Sequence, residues 1–346
     1  MAGYKRPMRR TLRLGLILFL GPAVAFGLYA AYWHTVAERI KDGFNAWVRQ
    51  ARADKLDVSW RELRLTGFPI AFRIALKGAA FRYTALSPAP VLRIPVLRGS
   101  ARPWDPGDWR LAARRGLVAG IAGTAGRAPI VLAARSATGA ISVRPAGDTR
   151  IWLTLEEATA EGGARVAVGR ADSWVVLPPH ARAEPFFGLA LRLRRVRLPV
   201  AVAPLGDTIA DLSAGLTVKG PLPPGPLAKA VAAWRDAGGV VELDHFRLHW
   251  GVLGATGAGT LALDRNLQPV GGFAGAIEGY DEILTALVKS GRLRAAQAGL
   301  ARLALTMLAK AGPDGRPQIA TSFTIENGQM YLGPAKLGPA PRIAWE

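Results

Sequence analysis

The chain of 346 residues contains no cysteine. Disulfides, thiolate catalysis and cysteine-ligated zinc are therefore excluded. An oxidising compartment is allowed and not implied. No acid precedes Glu38, and no charge of either sign lies within residues 14–33. The sequence holds no G-x-S-x-G, no H-E-x-x-H and no phosphate-binding loop of the P-loop type. It has four histidines, of which His245 and His249 share strand parity. Two histidines without a third ligand at a recognisable spacing do not make a metal site. Glu156 and Glu157 are adjacent, so on a strand they point to opposite faces and cannot work as an acid/base pair. GATGAG, residues 254–259, has the wrong spacing for a dinucleotide loop and reads as a turn; GIAGTAG, residues 120–126, reads as a flexible turn or loop. No catalytic, cofactor-binding or metal-binding residue is assigned, no cofactor is expected, and the chain is expected not to be an enzyme. No basic block is interleaved with aromatics, so a nucleic-acid partner is not expected.

Half of the residues are apolar, which argues against disorder. Forty glycines and 25 prolines are spread along the chain, as turns between short strands would require. The formal charge is +20, with Lys5, Arg6, Arg9, Arg10 and Arg13 gathered at the start. Such a charge attracts an anionic surface such as lipid headgroups, lipopolysaccharide or nucleic acid. The remaining arginines are scattered, which equally fits a GC-rich coding composition.

Residues 14–33, LGLILFLGPAVAFGLYAAYW, are long enough to span a hydrocarbon layer of about 30 Å at about 1.5 Å per residue. Tyr29, Tyr32 and Trp33 gather at the far end, where amphipathic rings favour the headgroup level. The basic residues before the run place residues 1–13 in the cytoplasm and export the rest. A transmembrane signal anchor in the inner membrane, single-pass with a periplasmic main domain, is the expectation. Cleavage after Ala25 is the alternative, because Ala23, Val24 and Ala25 have the small-x-small form. Residues 34–54 read as an amphipathic helix with Val36, Ile40, Phe44, Trp47 and Ala51 on one face. That face packs on the exported domain or lies on lipid.

Residues 55–346 read as a β-rich exported domain, with PLPPGP at 221–226 dividing halves 55–220 and 227–346. Phe68, Ile70, Phe72, Ile74 and Leu76 alternate with small or polar residues, the period of a one-faced strand. The apolar parity switches across Thr66 and Gly67, across Arg194 and Arg195, and across Asp244 and His245. Each switch predicts a bulge or tight turn, because one extra residue moves a strand's apolar set to the other face. Pro90 and Pro95 predict an edge strand or irregular segment, and residues 101–109 a loop. Helices are predicted around Leu227, Val231 and Trp234, around Ile283 to Val288, and from Leu300 to a stop at Gly312 and Pro313. Asn327 and Gly328 predict a two-residue hairpin. The fold class is mainly β with helices (α+β): an N-terminal transmembrane helix, then a bent antiparallel β-sheet or open barrel partly covered by helices.

GFPIAFRI (67–74), AAWRDAGG (232–239), FRLHWGVLGATGAGTLALD (246–264), LQPVGGFAGAIEGY (267–280) and IENGQMYLGP (325–334) resemble the recurring blocks of the bacterial domain-of-unknown-function family twenty-one twenty-five, found in Gram-negative bacteria. The resemblance covers nearly the whole chain and implies no catalytic residue. In layout the chain also resembles the AsmA-like envelope proteins, which pair one N-terminal span with a long periplasmic antiparallel sheet. That likeness implies lipid transport along an apolar groove.

The resulting expectation is a non-enzymatic, membrane-anchored envelope protein that binds or passes a lipid-like ligand. Phe68, Ile70, Phe72, Ile74 and Leu76 would line the ligand face or, alternatively, build a helix-covered core. The other expectation is a membrane-tethered scaffold for envelope assembly. Trp104 and Trp109, in a loop with Asp105 and Asp108, would then be the candidate partner loop, with Trp152 and Trp174 as further anchors. The partners so implied are inner-membrane lipid, a lipid-like ligand or an envelope protein.

Overall fold

The N-terminal segment and the amphipathic segment form one unbroken helix, α1 (Met8–Ala53). The computed structural model describes residues 8–85, 88–123, 128–144, 147–177, 187–220, 223, 227–291, 293–312, 315–343 and 345, with side chains from Val24 onward, Ala335 excepted. Lys5 and Arg6, and the side chains of residues 8–23, lie outside that description. Among the described residues no helix is long and apolar enough to cross a membrane. The helix ends where Lys55 takes a left-handed φ of 65° and donates its N–H to the Arg52 carbonyl.

Among the described residues eighteen strands follow, paired antiparallel in a single sheet. They are β1 (Leu56–Ser59), β2 (Glu62–Thr66), β3 (Phe72–Tyr83), β4 (Val91–Arg102), β5 (Asp105–Ala113), β6 (Leu117–Ile121), β7 (Ile130–Val143), β8 (Thr149–Glu161), β9 (Arg165–Leu177), β10 (Phe187–Val202) and β11 (Gly206–Lys219). After helix α2 (Leu227–Asp236) come β12 (Val240–Trp250), β13 (Leu253–Leu263) and β14 (Pro269–Glu278). Helices α3 (Tyr280–Lys289) and α4 (Ala295–Leu308) precede β15 (Ala309–Ala311), β16 (Pro317–Glu326), β17 (Gln329–Leu332) and β18 (Ala335–Pro339). The order is a meander in which chain neighbours are sheet neighbours. β1 and β2 share one edge of β3, β5 and β6 together fill the place between β4 and β7, and β15 and β17 share one edge of β16. No pairing among the described residues joins the first strands to the last, so the sheet is open. It runs without a break through β11 and β12, across the expected division at 221–226.

A crease crosses the first eleven strands. Between β3 and β4 the ladder passes from Lys77–Val96 to Ala79–Ile94 and omits Gly78 and Pro95. The same omission falls at Arg135 and Glu157, at Gly169 and Arg195, and at Ala210 on β11. Gly78, Glu157 and Arg195 have φ of 64°, 48° and 52°, which takes one residue of β3, β8 and β10 out of alternation, and Gly116, in the turn between β5 and β6, has φ of 77°. The Arg194–Arg195 parity switch is this crease. Pro95 therefore sits in a central strand and not at an edge: its missing N–H falls where the ladder is already interrupted. The switch at Asp244 and His245 is a separate bulge, marked by register shifts to both neighbours of β12.

Four segments differ from the sequence expectation. The strand after the Gly67 turn starts at Phe72, and residues 67–71 form a turn closed by the N–H of Ala71 on the Gly67 carbonyl at 2.9 Å. Residues 105–109 belong to β5, and residues 254–259 belong to β13, because both segments find ladder partners on two sides. The α4 helix stops at Leu308 and not at Gly312, because Ala309 to Ala311 pair with β16. The predicted Asn327–Gly328 hairpin is present, with φ of 52° and 70° at the two turn residues.

The core lies where α1 crosses the first strands. Trp33, Ala37, Val48 and Ala51 are buried, and Ile40 and Phe44 are half-buried against the sheet. Trp47 is largely exposed, so the packed face is rotated by one residue from the sequence expectation. Phe72, fully buried, stacks on Trp33 at 5.0 Å between ring centroids. A second core lies under α2, where Trp234 donates its indole N–H to the Lys219 carbonyl at 2.8 Å. Gly239 leaves room for that indole; a Cβ there would stand 2.2 Å from the ring.

Candidate functional site

Directly opposed residues in an antiparallel pair share a face, so the register identifies every side chain on each side of the sheet. One row crosses ten strands: Ala113, Ala137, Leu155, Ala171, Leu193, Leu212, Leu248, Ala255, Ile277 and Ile319. The row two residues further runs from Leu111 through Gly139, Leu153, Ser173, Leu191, Ala214 and Phe246 to Gly257, Gly275 and Thr321. The third runs from Trp109 through Ile141, Ile151, Val175, Leu189, Leu216 and Leu243 to Gly259, Phe273, Phe323 and Leu332. None of the three contains a titratable side chain. At about 4.8 Å between strands the face extends roughly 40 Å.

The crease keeps this face apolar on its other side. Under unbroken alternation Ala134, Ala158, Val168 and Val196 would project with the charged set; because one residue before each drops out of the ladder, they join the rows above. The same step brings Ala79 and Phe81 onto the face that holds Phe72, Ile74 and Leu76.

The first strands are covered by α1, and beyond them much of the trough is partly exposed among the described residues. From β8 onward Leu155, Ala171, Leu193, Leu212, Leu248, Ala255 and Ile277 are half-buried, Leu153 and Leu191 are each 38% exposed, and Ala158, Val196 and Ile319 are buried. An apolar cavity of about 320 Å³ lies over β12–β17, walled by Leu243, Phe246, Phe273, Phe323 and Leu332. Gly257 and Gly275 pave its floor, and a Cβ on Gly275 would meet the Thr256 carbonyl oxygen at 2.2 Å. A second apolar cavity of about 510 Å³ opens at the other end, against Leu56, Phe81, Leu92, Ile121, Ile130 and Leu132.

The opposite face is polar. Thr138, Thr154, Asp172, Arg192 and Ser213 form one row, and Ser136, Glu156, Arg170, Arg194, Asp211 and His249 the next. Asp172 is buried among them, accepting from Thr154 at 2.5 Å, Arg170 at 2.9 Å and Arg194 at 3.1 Å. Burial pushes its carboxyl up; the hydrogen bonds from Arg170, Thr154 and Arg194 together outweigh that and hold it below the ordinary value. A polar cavity of about 890 Å³ lies between β12, α3 and α4, lined by His249, Glu278, Asp281, Glu282, Arg302 and Arg316. Arg302 there pairs with Asp281 and donates to Thr285 at 2.9 Å. Among the described residues no three histidines or carboxylates converge as metal ligands would.

The sequence-predicted residues separate. Phe72, Ile74 and Leu76 share the trough face, but they lie beneath α1, in contact with protein. Phe68 and Ile70 stand in the preceding turn, Phe68 against Phe26, Trp33 and His34, and Ile70 71% exposed. Trp104 is 66% exposed, whereas Trp109 packs toward Phe72 and donates its indole N–H to the Pro106 carbonyl at 3.0 Å. Trp152 and Trp174 oppose each other on the polar face. The open trough from Leu153 to Phe323 was missed. Its signal was present as an apolar–x–x–apolar step, as in Leu155 to Ala158 and Leu193 to Val196, repeated in strand after strand.

Residues 33–341 match the family described as "Uncharacterized protein conserved in bacteria (DUF2125)", and the chain belongs to it. No curated protein and no solved structure matches the chain.

Proposed function

For this member of the DUF2125 family we propose a non-enzymatic role in the bacterial envelope: a membrane-anchored protein that holds lipid-like molecules against its apolar trough and lets them pass along it. The observation that carries this reading is the apolar row of ten residues from Ala113 to Ile319, continuous across strands and only half-buried from Leu155 to Ile277. A face without titratable groups offers no proton transfer and no ion pairing; it offers dispersion and the removal of hydrocarbon from water. That is worth about 0.8 kcal/mol per methylene relative to water. Relative to a bilayer interior the same transfer is close to neutral, which suits passage better than storage. The anchor would be the apolar run 14–33 at the start of α1, with the sheet on the exported side.

The test is direct. Purified full-length protein is incubated with phospholipid vesicles, re-isolated and examined by native mass spectrometry. Bound phospholipid is expected; protein that repeatedly emerges lipid-free overturns the reading. A scaffold role draws on a different observation, the exposed stripe Leu300, Leu303 and Met307 on α4. Loss of a specific crosslinked envelope protein on Leu303→Glu would favour it.

A further inference from the structure

Two turns of the sheet are pinned to α1 at one level. Tyr29 donates its hydroxyl to the Pro69 carbonyl at 2.5 Å, and Tyr32 donates to the Pro103 carbonyl at 2.8 Å. The Phe68 ring lies 5.8 Å from Phe26 and 5.4 Å from Trp33. The turns thus stand beside residues 26–33, the last eight residues of the apolar run, about 12 Å of helix. A bilayer that takes up the whole run, about 30 Å of helix, has no way to stop short of the turns.

The turns present what such a layer would hold. Ile70 projects from residues 67–71, a stretch with no charge, and Trp104 projects from the β4–β5 turn. Phe26 and Leu28 are exposed on α1 at the same height. Arg73 and Arg102, exposed at the adjoining strand ends, make no ion pair among the described residues; neither turn contains an acid, and Asp105 and Asp108 follow on β5. An apolar tip, a tryptophan and flanking arginines are the pattern of a surface seated at the headgroup level.

We propose that the Ile70 and Trp104 turns dock into the bilayer that carries α1, so that this end of the sheet sits in the outer headgroup layer instead of standing off in water. The proposal rests on the anchor reading and adds where the sheet meets the membrane. The two isolated apolar tips thereby acquire one role as a membrane foot, and the strands rise from it.

Because the chain has no cysteine, single cysteines give unique labels. Full-length Ile70→Cys, Trp104→Cys and Thr84→Cys are labelled with an environment-sensitive fluorophore and reconstituted into phosphatidylethanolamine/phosphatidylglycerol vesicles. Thr84 lies just past the far end of β3, roughly 40 Å from the turns by strand length. Labels at 70 and 104 are expected to shift to the blue and to be quenched by headgroup-level nitroxide lipids at least about twofold more than the label at 84. Equal quenching of all three by aqueous iodide, with no blue shift, in protein that resists alkaline carbonate extraction would overturn the docking while leaving the anchor intact. Extraction of the protein by carbonate would remove the anchor and the docking together.

Discussion

The Thr154 hydroxyl on β8 donates to the Asp172 carboxylate on β9 at 2.5 Å, with both side chains almost wholly out of water. Arg170 and Arg194 complete the site from the same polar face. The folded pKa of Asp172 lies below its ordinary value near 3.8, so the stabilisation is present above that value and is lost as pH falls through the folded pKa. Asp172→Asn is expected to lower the urea midpoint at neutral pH, at a cost of about 1–3 kcal/mol, and to flatten the acid limb of stability against pH. Denaturation of the variant and the parent at neutral and acidic pH measures both. A parallel loss at every pH would show that the charge of Asp172 contributes nothing.

Gly78 takes a φ of 64° at the crease, with the Arg61 guanidinium lying over it. Gly78→Ala is expected to destabilise the protein by about 1–2 kcal/mol, because a Cβ disfavours the left-handed conformation. An unchanged thermal midpoint would mean that the crease does not depend on this residue.

Phe72 is fully buried between α1 and the sheet, while Trp47 lies largely outside the packed face of the helix. Phe72→Ala is expected to cost about 3–5 kcal/mol and to speed tryptic cleavage near Lys55 as α1 loosens. Trp47→Ala is expected to change stability by less than about 0.5 kcal/mol. Comparable losses for the two would contradict the packing of α1 described above.

Thr321 and Ser322 are neighbours on β16, yet Thr321 opposes Gly275 on the trough floor and Ser322 opposes Ala274 on the other side. A lysine at the first position puts a charge where an acyl chain would lie. Thr321→Lys is expected to reduce phospholipid retained by the purified protein by roughly tenfold, about 1.4 kcal/mol, whereas Ser322→Lys leaves it unchanged. Native mass spectrometry of the two side by side decides it, and equal retention would count against the trough as the lipid path.

Local chemistry was legible in the residues alone. Asn327–Gly328 announces its turn because both residues tolerate positive φ, and Arg194–Arg195 shows its parity break in one strand. Pro95 points to an edge or an irregular segment; the ladder is interrupted there, but the strand is central, because what permits proline, the omitted position at Gly78, is on another strand. Residues 254–259 were read as a turn for a similar reason: their glycines are set by the approach of β14, where a Cβ on Gly259 would meet the Gly272 carbonyl oxygen at 2.3 Å. The α1 face was displaced from Val48 to Trp47 because periodicity gives an arc and not the residue at its centre.

By itself the sequence determined that this chain is mainly antiparallel sheet, that it carries an apolar helical run ahead of that sheet, and that it belongs among the proteins of one bacterial family. Alternation, turn residues and uncharged runs are properties of neighbours along the chain, so they survive in one dimension. Only the tertiary structure decided that the omitted positions of successive strands line up into one crease, that the crease keeps apolar side chains on a single face, and that α1 covers the first strands. Those outcomes depend on which residue stands opposite which across the ladder, and register is fixed by the summed packing of strands far apart in sequence.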